Sequence, residues 1–272
     1  MESSQKSIPL VMVFAGNDPT GGAGIQADIE TLASMGCQAA PIITAITVQD
    51  TTGVKDYTGI SATLVIEQAR AVLEDMPVAA FKIGMLGRSD IAEAIHVLLT
   101  EYPHVPVVLD PVLASGSNYS FADDKLKTII TTLLLPQTMV LTPNSLEARA
   151  LASTADTLDA CAQQLLEYGA EFVLITGTHE NTPEVVNTLY GNRRLLESFN
   201  WERLPGSYHG SGCTLSSAIA GLLAHGLEPF TAIHEAQQYT WEALKYGYCP
   251  GKGQFLPNRL FWARGAEDNE AS

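Results

Sequence analysis

Short apolar runs alternate along this chain with stretches whose apolar positions recur every three to four residues. Residues 9–15 form a compact apolar run with β-branched members, which predicts a buried strand. A helix is predicted over 24–35, with Gly36 as its stop signal. The β-branched stretch 39–48 predicts one or more strand pieces ending at Gln49 and Asp50, and the stretch 51–58 an edge strand or hairpin. Beyond it, helical spacing appears over 62–73, 90–99, 123–134 and 158–168. Strands are predicted over 79–83, 105–109, 139–141 and 172–175.

This alternation of strand and helix predicts parallel pairing with helices on both faces of the sheet. Segment 184–200 breaks the rhythm. Two short apolar pieces, 185–190 and 193–199, flank Gly191-Asn192 and predict a small hairpin excursion with that turn. Helices over 213–224 and 229–246 close the fold. No linker, low-complexity segment or internal repeat divides the chain. The expectation is one domain over 10–262, with a short tail at 1–9 and an acidic tail at 263–272.

The chain has 272 residues, of which 46% are hydrophobic and 17% charged, a balance that excludes a mainly disordered protein. Lys and Arg number 15 against 30 Asp and Glu, a net charge of -15. Such a chain has no general attraction for nucleic acid or an anionic membrane, so anion binding falls to local backbone N–H groups, a metal or a few placed bases. There is no 18-residue apolar run and no signal-peptide core near the start, which makes a cytoplasmic soluble protein the expectation. Cysteines at 37, 161, 213 and 249 are too far apart for a CxxC site or a compact disulfide framework. Cys37, Cys161 and Cys249 are expected to be buried and reduced.

Three local patterns carry candidate chemistry. Gly21-Gly22-Ala23-Gly24 joins the first strand to a helix, where small residues let the backbone approach a ligand and the helix start favours anions. The same loop also fits a tight packing turn, and its loose GxGxxA spacing fits a dinucleotide site only weakly, since it begins several residues after the strand. Asn17 and Asp18 before it can bind a polar ligand or cap backbone, and Gln49 offers the donor and acceptor that the edge of a heterocycle needs. Next, Asp110 follows a buried strand, and Asn144-Ser145-Leu146-Glu147 opens a helix. Asn144 and Glu147 fit a capping box; with Asp110 they also fit Mg2+ and phosphate.

The sharpest pattern is Gly206-Ser207-Tyr208-His209-Gly210-Ser211-Gly212-Cys213-Thr214 ahead of an apolar helix. Its glycines and the helix start can stabilise a transferring phosphoryl group. Cys213 stands where thiolate formation is favoured. It can activate or orient a hydroxyl, or act as a covalent nucleophile. His209 can join the loop or cap backbone.

Taken in order, AGNDPTGGAGIQADIETL at 15–32, ITAITVQDTTGV at 43–54, KIGMLG at 82–87, VLDPV at 108–112, LTPNSLEA at 141–148 and HGSGCTLSSAIA at 209–220 resemble the hydroxymethylpyrimidine/phosphomethylpyrimidine kinase family of thiamine biosynthesis, a branch of the ribokinase-like superfamily. The resemblance spans about 10–262. It implies a three-layer α/β/α fold around a mostly parallel sheet, a homodimer, and ATP with Mg2+ as phosphoryl donor. The implied acceptors are 4-amino-5-hydroxymethyl-2-methylpyrimidine and its monophosphate. By the same resemblance Cys213, Gly210, Ser211 and Gly212 serve catalysis and the anion hole. Asp18, Gly22, Val48, Gln49 and Met85 face the pyrimidine. Asn144, Thr176, Thr178 and His209 face the nucleotide, and Asp110 and Glu147 the Mg2+.

The chain departs from that family at several positions. The usual GTDPSGG reads GNDPTGG, and the usual AQN reads Val48-Gln49-Asp50. The lysine of KGGH is absent from Thr176-Gly177-Thr178-His179, and 113–118 also lacks its customary lysine. Fewer positive charges are expected to weaken phosphate attraction, unless Lys82, Arg88 or Lys252 compensates. A pyridoxine-type hydroxymethyl heterocycle kinase and a weakened, non-catalytic pyrimidine-binding homologue are the competing readings. A nicotinamide dehydrogenase is a distant third.

Overall fold

The computed structural model describes residues 8–116 and 119–263; the expected tails fall almost entirely outside it. Its strands are β1 (Leu10–Asn17), β2 (Gln38–Asp50), β3 (Gly53–Gly59), β4 (Val78–Ile83), β5 (Val107–Leu109), β6 (Val140–Leu141), β7 (Phe172–Ile175), β8 (Glu184–Gly191) and β9 (Arg194–Glu202). The helices are α1 (Gly24–Ser34), α2 (Ala62–Asp75), α3 (Ser89–Thr100), α4 (Asp124–Ile129), α5 (Ser145–Leu151), α6 (Leu158–Glu167), α7 (Ser211–Ala224) and α8 (Pro229–Lys245).

The strands make one sheet in the order β3-β2-β1-β4-β5-β6-β7-β8-β9. Pairing is parallel from β2 through β7 and antiparallel at β3, β8 and β9. β1 is apolar at nearly every position because both of its faces are buried. Leu10, Met12 and Phe14 pack with Val65, Ile91 and Leu126 from α2, α3 and α4, while Val11, Val13 and Ala15 pack with Leu32, Ile219 and Ala236 from α1, α7 and α8. These are the three layers that the strand–helix alternation predicts.

Three local expectations are corrected. The hairpin itself is present, with β8 paired to β7 and β9 carried into the sheet as its edge. Its turn is Asn192-Arg193 rather than Gly191-Asn192. Both turn residues are left-handed, with φ 50° and 57°, and Gly191 is the last strand residue, opposite Arg194. A two-residue turn of this hand matches the strand twist, and ladder register fixes which two residues form it. The helix expected over 123–134 is α only to Ile129. It widens into a π-helical turn at Ile130–Leu134 and a 3-10 turn at Leu135–Gln137, where Pro136 cannot continue the ladder. Cys37 and Cys161 are buried as expected, but Cys249 is exposed, on a surface turn where its thiol lies near the Gly251 carbonyl.

Strand order reverses at β1, which turns to β2 on one side and is followed by β4 and β5 on the other. In open α/β sheets ligands bind at the carboxyl ends of strands near such a switch. The carboxyl ends of β1, β4, β5, β6 and β7 all carry candidate residues. Among the described residues no helix is long and apolar enough to cross a membrane.

Candidate active site

Asp110 ends β5, its N–H bonded to the Ile83 carbonyl at 2.8 Å and only 5% of its surface exposed. Glu147, also buried, completes a capping box. Asn144 Oδ1 accepts from the Leu146 and Glu147 N–H groups, and Glu147 Oε2 accepts from the Asn144 N–H. The other Glu147 oxygen accepts from the Leu113 N–H at 3.4 Å. Burial, and then the charge of Asp110, pushes the Glu147 carboxyl well above the ordinary carboxylate range. Burial also pushes Asp110 up, against the pull of Lys82. Two buried hard-oxygen groups therefore lie near enough to oppose each other's ionisation.

That pairing suits a divalent cation. No group of three or more His, Cys, Asp or Glu side chains able to hold a metal occurs among the described residues. Two carboxylates with room for water and phosphate oxygens are what Mg2+ takes, and a closed protein cage is not required.

α7 presents its amino terminus to the same place. Its N-cap, Gly210, is left-handed at φ 84° and offers no capping side chain. The first intrahelical bond runs from the Thr214 N–H to the Gly210 carbonyl, which leaves the earlier N–H groups for another acceptor. A side chain at Gly212 would stand 3.6 Å from Asp110 Oδ2, so the helix start and the carboxylate adjoin.

Cys213 lies between these parts. Its thiol lies close enough to Asp110 and to the Gly24 N–H for each to bear on its ionisation. The expectation of a favoured thiolate is corrected. Burial, with the charges of Asp110 and Asp28, outweighs Lys82 and the helix start and pushes the thiol up to about 12. Gly24 itself is fixed by geometry. It is left-handed at φ 58°, and a Cβ there would lie 2.2 Å from the Gly16 carbonyl oxygen.

Beneath Cys213 is an ion pair that motif reading leaves out. Lys82 Nζ meets Asp28 Oδ1 at 2.8 Å with both side chains fully buried. Burial opposes its charge, but Asp28, Cys213 and Asp110 together hold the ammonium above the ordinary lysine value. The sequence signal was a lysine inside the apolar run Val78–Ile83. Of the three cations considered as compensation, only this one reaches the site; Arg88 pairs with Asp90 at the surface and Lys252 is exposed.

The amino-terminal loop is tied to the later one. Asp18 accepts from the Thr20 and Ala23 N–H groups and the Thr20 hydroxyl, and meets His209 Nε2 at 2.9 Å. These partners engage both of its carboxylate oxygens, so in this structure it organises the loop. His209 and Leu256 would each lie 2.6 Å from a Cβ on Gly22, which makes that glycine a packing requirement. Arg259, absent from every motif considered, donates to the Gly21 and Gly22 carbonyls.

Of the residues expected to face a pyrimidine, Met85 packs with Ala45 and Phe121, flanked by Val112 and Tyr57. Along β2, Thr47 is 8% exposed and Val48 57% exposed. Side chains alternate along a strand, so half-buried Gln49 shares the inner face with Thr47 and the Val48 side chain points the other way. Only the Val48 backbone can line a pocket beside Gln49. Asp50, where the family has an amide, turns out to Lys55 at 2.7 Å and to the Thr52 N–H. Of the residues expected to face a nucleotide, Thr176 is held by main-chain bonds to Pro143 and Ser145, which brings it beside Asn144. Thr178 is exposed, and Arg203 fixes the loop around it through the carbonyls of Thr178, Glu180 and Thr182.

Residues 18–258 match the family model described as phosphomethylpyrimidine kinase. The chain belongs to this family. A hydroxymethylpyrimidine/phosphomethylpyrimidine kinase of Mycobacterium bovis is 36% identical over 259 residues, covering 93% of this chain and 94% of that protein. A bifunctional thiamine biosynthesis protein of Geobacter sulfurreducens is 33% identical over 262 residues; the match covers 95% of this chain, which spans about half, 54%, of that relative. Among solved structures, the phosphomethylpyrimidine kinase of Clostridium difficile superposes with a TM-score of 0.75 at 34% identity, covering 88% of this chain and all of that one. An ADP complex of Bacillus subtilis pyridoxal kinase gives 0.85 at 27% identity, covering 95% and 100%. The fold is thus that of ribokinase-like vitamin kinases, as the resemblance implied.

Proposed function

We propose that this chain transfers the γ-phosphoryl group of ATP to the hydroxymethyl oxygen of 4-amino-5-hydroxymethyl-2-methylpyrimidine, and then to the resulting monophosphate. One observation carries the reading. The uncapped first turn of α7 adjoins buried Asp110, whose charge bears on buried Glu147, beyond the carboxyl ends of the central strands, in a chain of this family.

Each part has a physical role in the reading. The substrate oxygen forms a bond to the γ-phosphorus as the bond to the β-phosphate oxygen breaks, and ADP leaves. Charge on the transferring oxygens meets the N–H groups that follow Gly210, Ser211 and Gly212 among them. Asp110 and Glu147 would hold Mg2+, which supplies charge neutralisation at the phosphates when bound. Gln49 reads the ring edge and Met85 supplies an apolar face. Cys213, a neutral thiol at rest, orients the hydroxyl rather than attacking as a standing thiolate. The hydroxyl proton passes to solvent water as the new bond forms, since a loose transition state does not require its prior removal. Asn144, Thr176, Thr178 and His209 border the nucleotide in this reading. The exposed Ile46 and Val48 on the outer face of β2 offer apolar surface for a homodimer.

A pyridoxine-type alcohol is the second reading, favoured by the superposition on pyridoxal kinase; the pyrimidine-kinase relatives outweigh it. The test is a panel of pyrimidine alcohol, pyrimidine phosphate and pyridoxine with ATP and Mg2+, using parent, Cys213→Ala and Gln49→Leu proteins. The pyrimidine alcohol should turn over fastest. Cys213→Ala should lower kcat, and Gln49→Leu should weaken pyrimidine but not ATP binding by about 1–3 kcal/mol. Preference for pyridoxine, or binding without turnover, would replace the reading.

A further inference from the structure

Arg259 lies beyond α8, far in sequence from every motif, yet its side chain is 1% exposed. Its guanidinium uses donors in several directions. Nη1 donates to the Gly21 carbonyl at 3.3 Å and to Glu30 Oε2 at 3.1 Å, Nη2 to the Gly22 carbonyl, and Nε to Thr214 Oγ1 at 3.0 Å. Thr214 is the residue after Cys213, and its hydroxyl donates to the Gly210 carbonyl at 2.8 Å. A Cβ on Gly210 would lie 1.8 Å from the Gly22 carbonyl oxygen and 2.9 Å from Arg259 Nη2. The two glycine loops therefore touch backbone to backbone, with the guanidinium wedged at the contact.

This contact sets which side of the amino-terminal loop faces the reacting groups. Arg259 draws the Gly21 and Gly22 carbonyls toward itself. Two residues on, the Gly24 N–H faces the Cys213 sulfur. Carbonyl oxygens turned toward a transferring phosphoryl group would repel it, whereas N–H groups attract it.

We propose that Arg259 is a positioning residue, whose planar fork clamps the 21–24 loop to the first turn of α7 and thereby sets Gly24, Cys213 and the Gly210–Gly212 backbone in register for phosphoryl transfer. The kinetic part rests on the kinase reading above. Only a guanidinium has the rigid, divergent donors for two carbonyls, a hydroxyl and a carboxylate together. An ammonium keeps the charge and loses the fork.

The experiment compares the full-length parent with Arg259→Lys, Thr214→Val and Glu30→Gln proteins. Arg259→Lys should lower kcat about ten- to a hundredfold, the scale of a small misplacement, with KM for ATP and pyrimidine nearly parental. Thr214→Val removes the bond from the clamp to α7 together with the hydroxyl's own bond to the Gly210 carbonyl, and should lower kcat in the same sense. Glu30→Gln leaves all loop bonds in place and should keep parental kcat. Hydrogen exchange supplies a readout independent of substrate: the bonded amides of residues 22, 23 and 214 should exchange faster together in the first two variants, with the sheet unchanged. Should Arg259→Lys fail to fold, Thr214→Val carries the test. Parental kcat and loop exchange in folded variants would overturn the proposal, and so would a kcat loss matched by equal KM changes. If the parent phosphorylates no pyrimidine, the kinase reading fails, and the exchange experiment still decides the clamp.

Discussion

Lys82 Nζ lies 2.8 Å from Asp28 Oδ1 in a space closed to solvent, and Ser217 donates to the same oxygen at 2.6 Å. Asp28 Oδ2 has no hydrogen-bond partner among the described residues. The pair joins β4 to α1 and α7 under the candidate site. Breaking a buried pair by removing one partner strands the other charge, at a cost of about 3–5 kcal/mol. Lys82→Met should lose that much in denaturant unfolding, and Lys82→Met with Asp28→Leu should recover most of it. A single variant within about 1 kcal/mol of the parent would mean that the pair contributes little to stability.

Asp18 predicts behaviour in acid. Burial raises its pKa, but hydrogen bonds from His209 and Thr20 and the charge of His209 hold it down at about 2. A depressed carboxyl contributes stability above its unfolded pKa and loses it as pH falls through the folded value. The shift from 3.8 to about 2 corresponds to about 2 kcal/mol, lost as pH drops from near 4 toward 2. His209→Ala should remove much of this acid-labile portion in unfolding titrations over that range. An unchanged acid limb would place the stabilisation in the loop N–H groups alone.

Glu147 has the opposite sign. A carboxyl raised in the folded state contributes stability at low pH and loses it as pH rises toward the folded value. Stability should therefore decline from the ordinary carboxylate range through neutrality and above, because burial and Asp110 oppose ionisation. Glu147→Gln should flatten this decline and be the more stable protein at pH 8. Mg2+ should raise the parent melting temperature there and act less on the variant. A parent insensitive to Mg2+, with a variant that follows the same pH curve, would remove both the charge conflict and the cation site.

Arg193 predicts a gain. It is an exposed arginine at φ 57° in a turn whose two central residues must both be left-handed. Arg193→Gly creates Asn-Gly, the favoured pair for this turn, and should stabilise by about 0.5–1 kcal/mol in thermal unfolding. Loss of stability would mean that the arginine side chain contributes more than its backbone conformation costs.

Strand and helix positions were legible because apolar periodicity is local. β1 is apolar on both faces, and the layers follow from that. The capping box of Asn144 and Glu147 was legible too, since its groups are three residues apart. So were the glycine loops, whose conformations few other residues can adopt. The hairpin turn was misplaced by one residue, because ladder pairing with β7 and the partner strand sets the register.

What sequence spacing cannot express is which distant groups share one low-dielectric space. Lys82 and Asp28 stand 54 positions apart, His209 and Asp18 191, and Arg259 and Gly22 237. Local reasoning placed Cys213 at an anion-favouring helix start and expected an easy thiolate. Packing set that half-buried residue beside Asp110 and Asp28, and desolvation with like charge outweighed the helix terminus. The sequence by itself determined the layers, the loops and the kinds of chemical group. Tertiary structure decided their charge states and partners, because electrostatic energy depends on distance and burial in three dimensions.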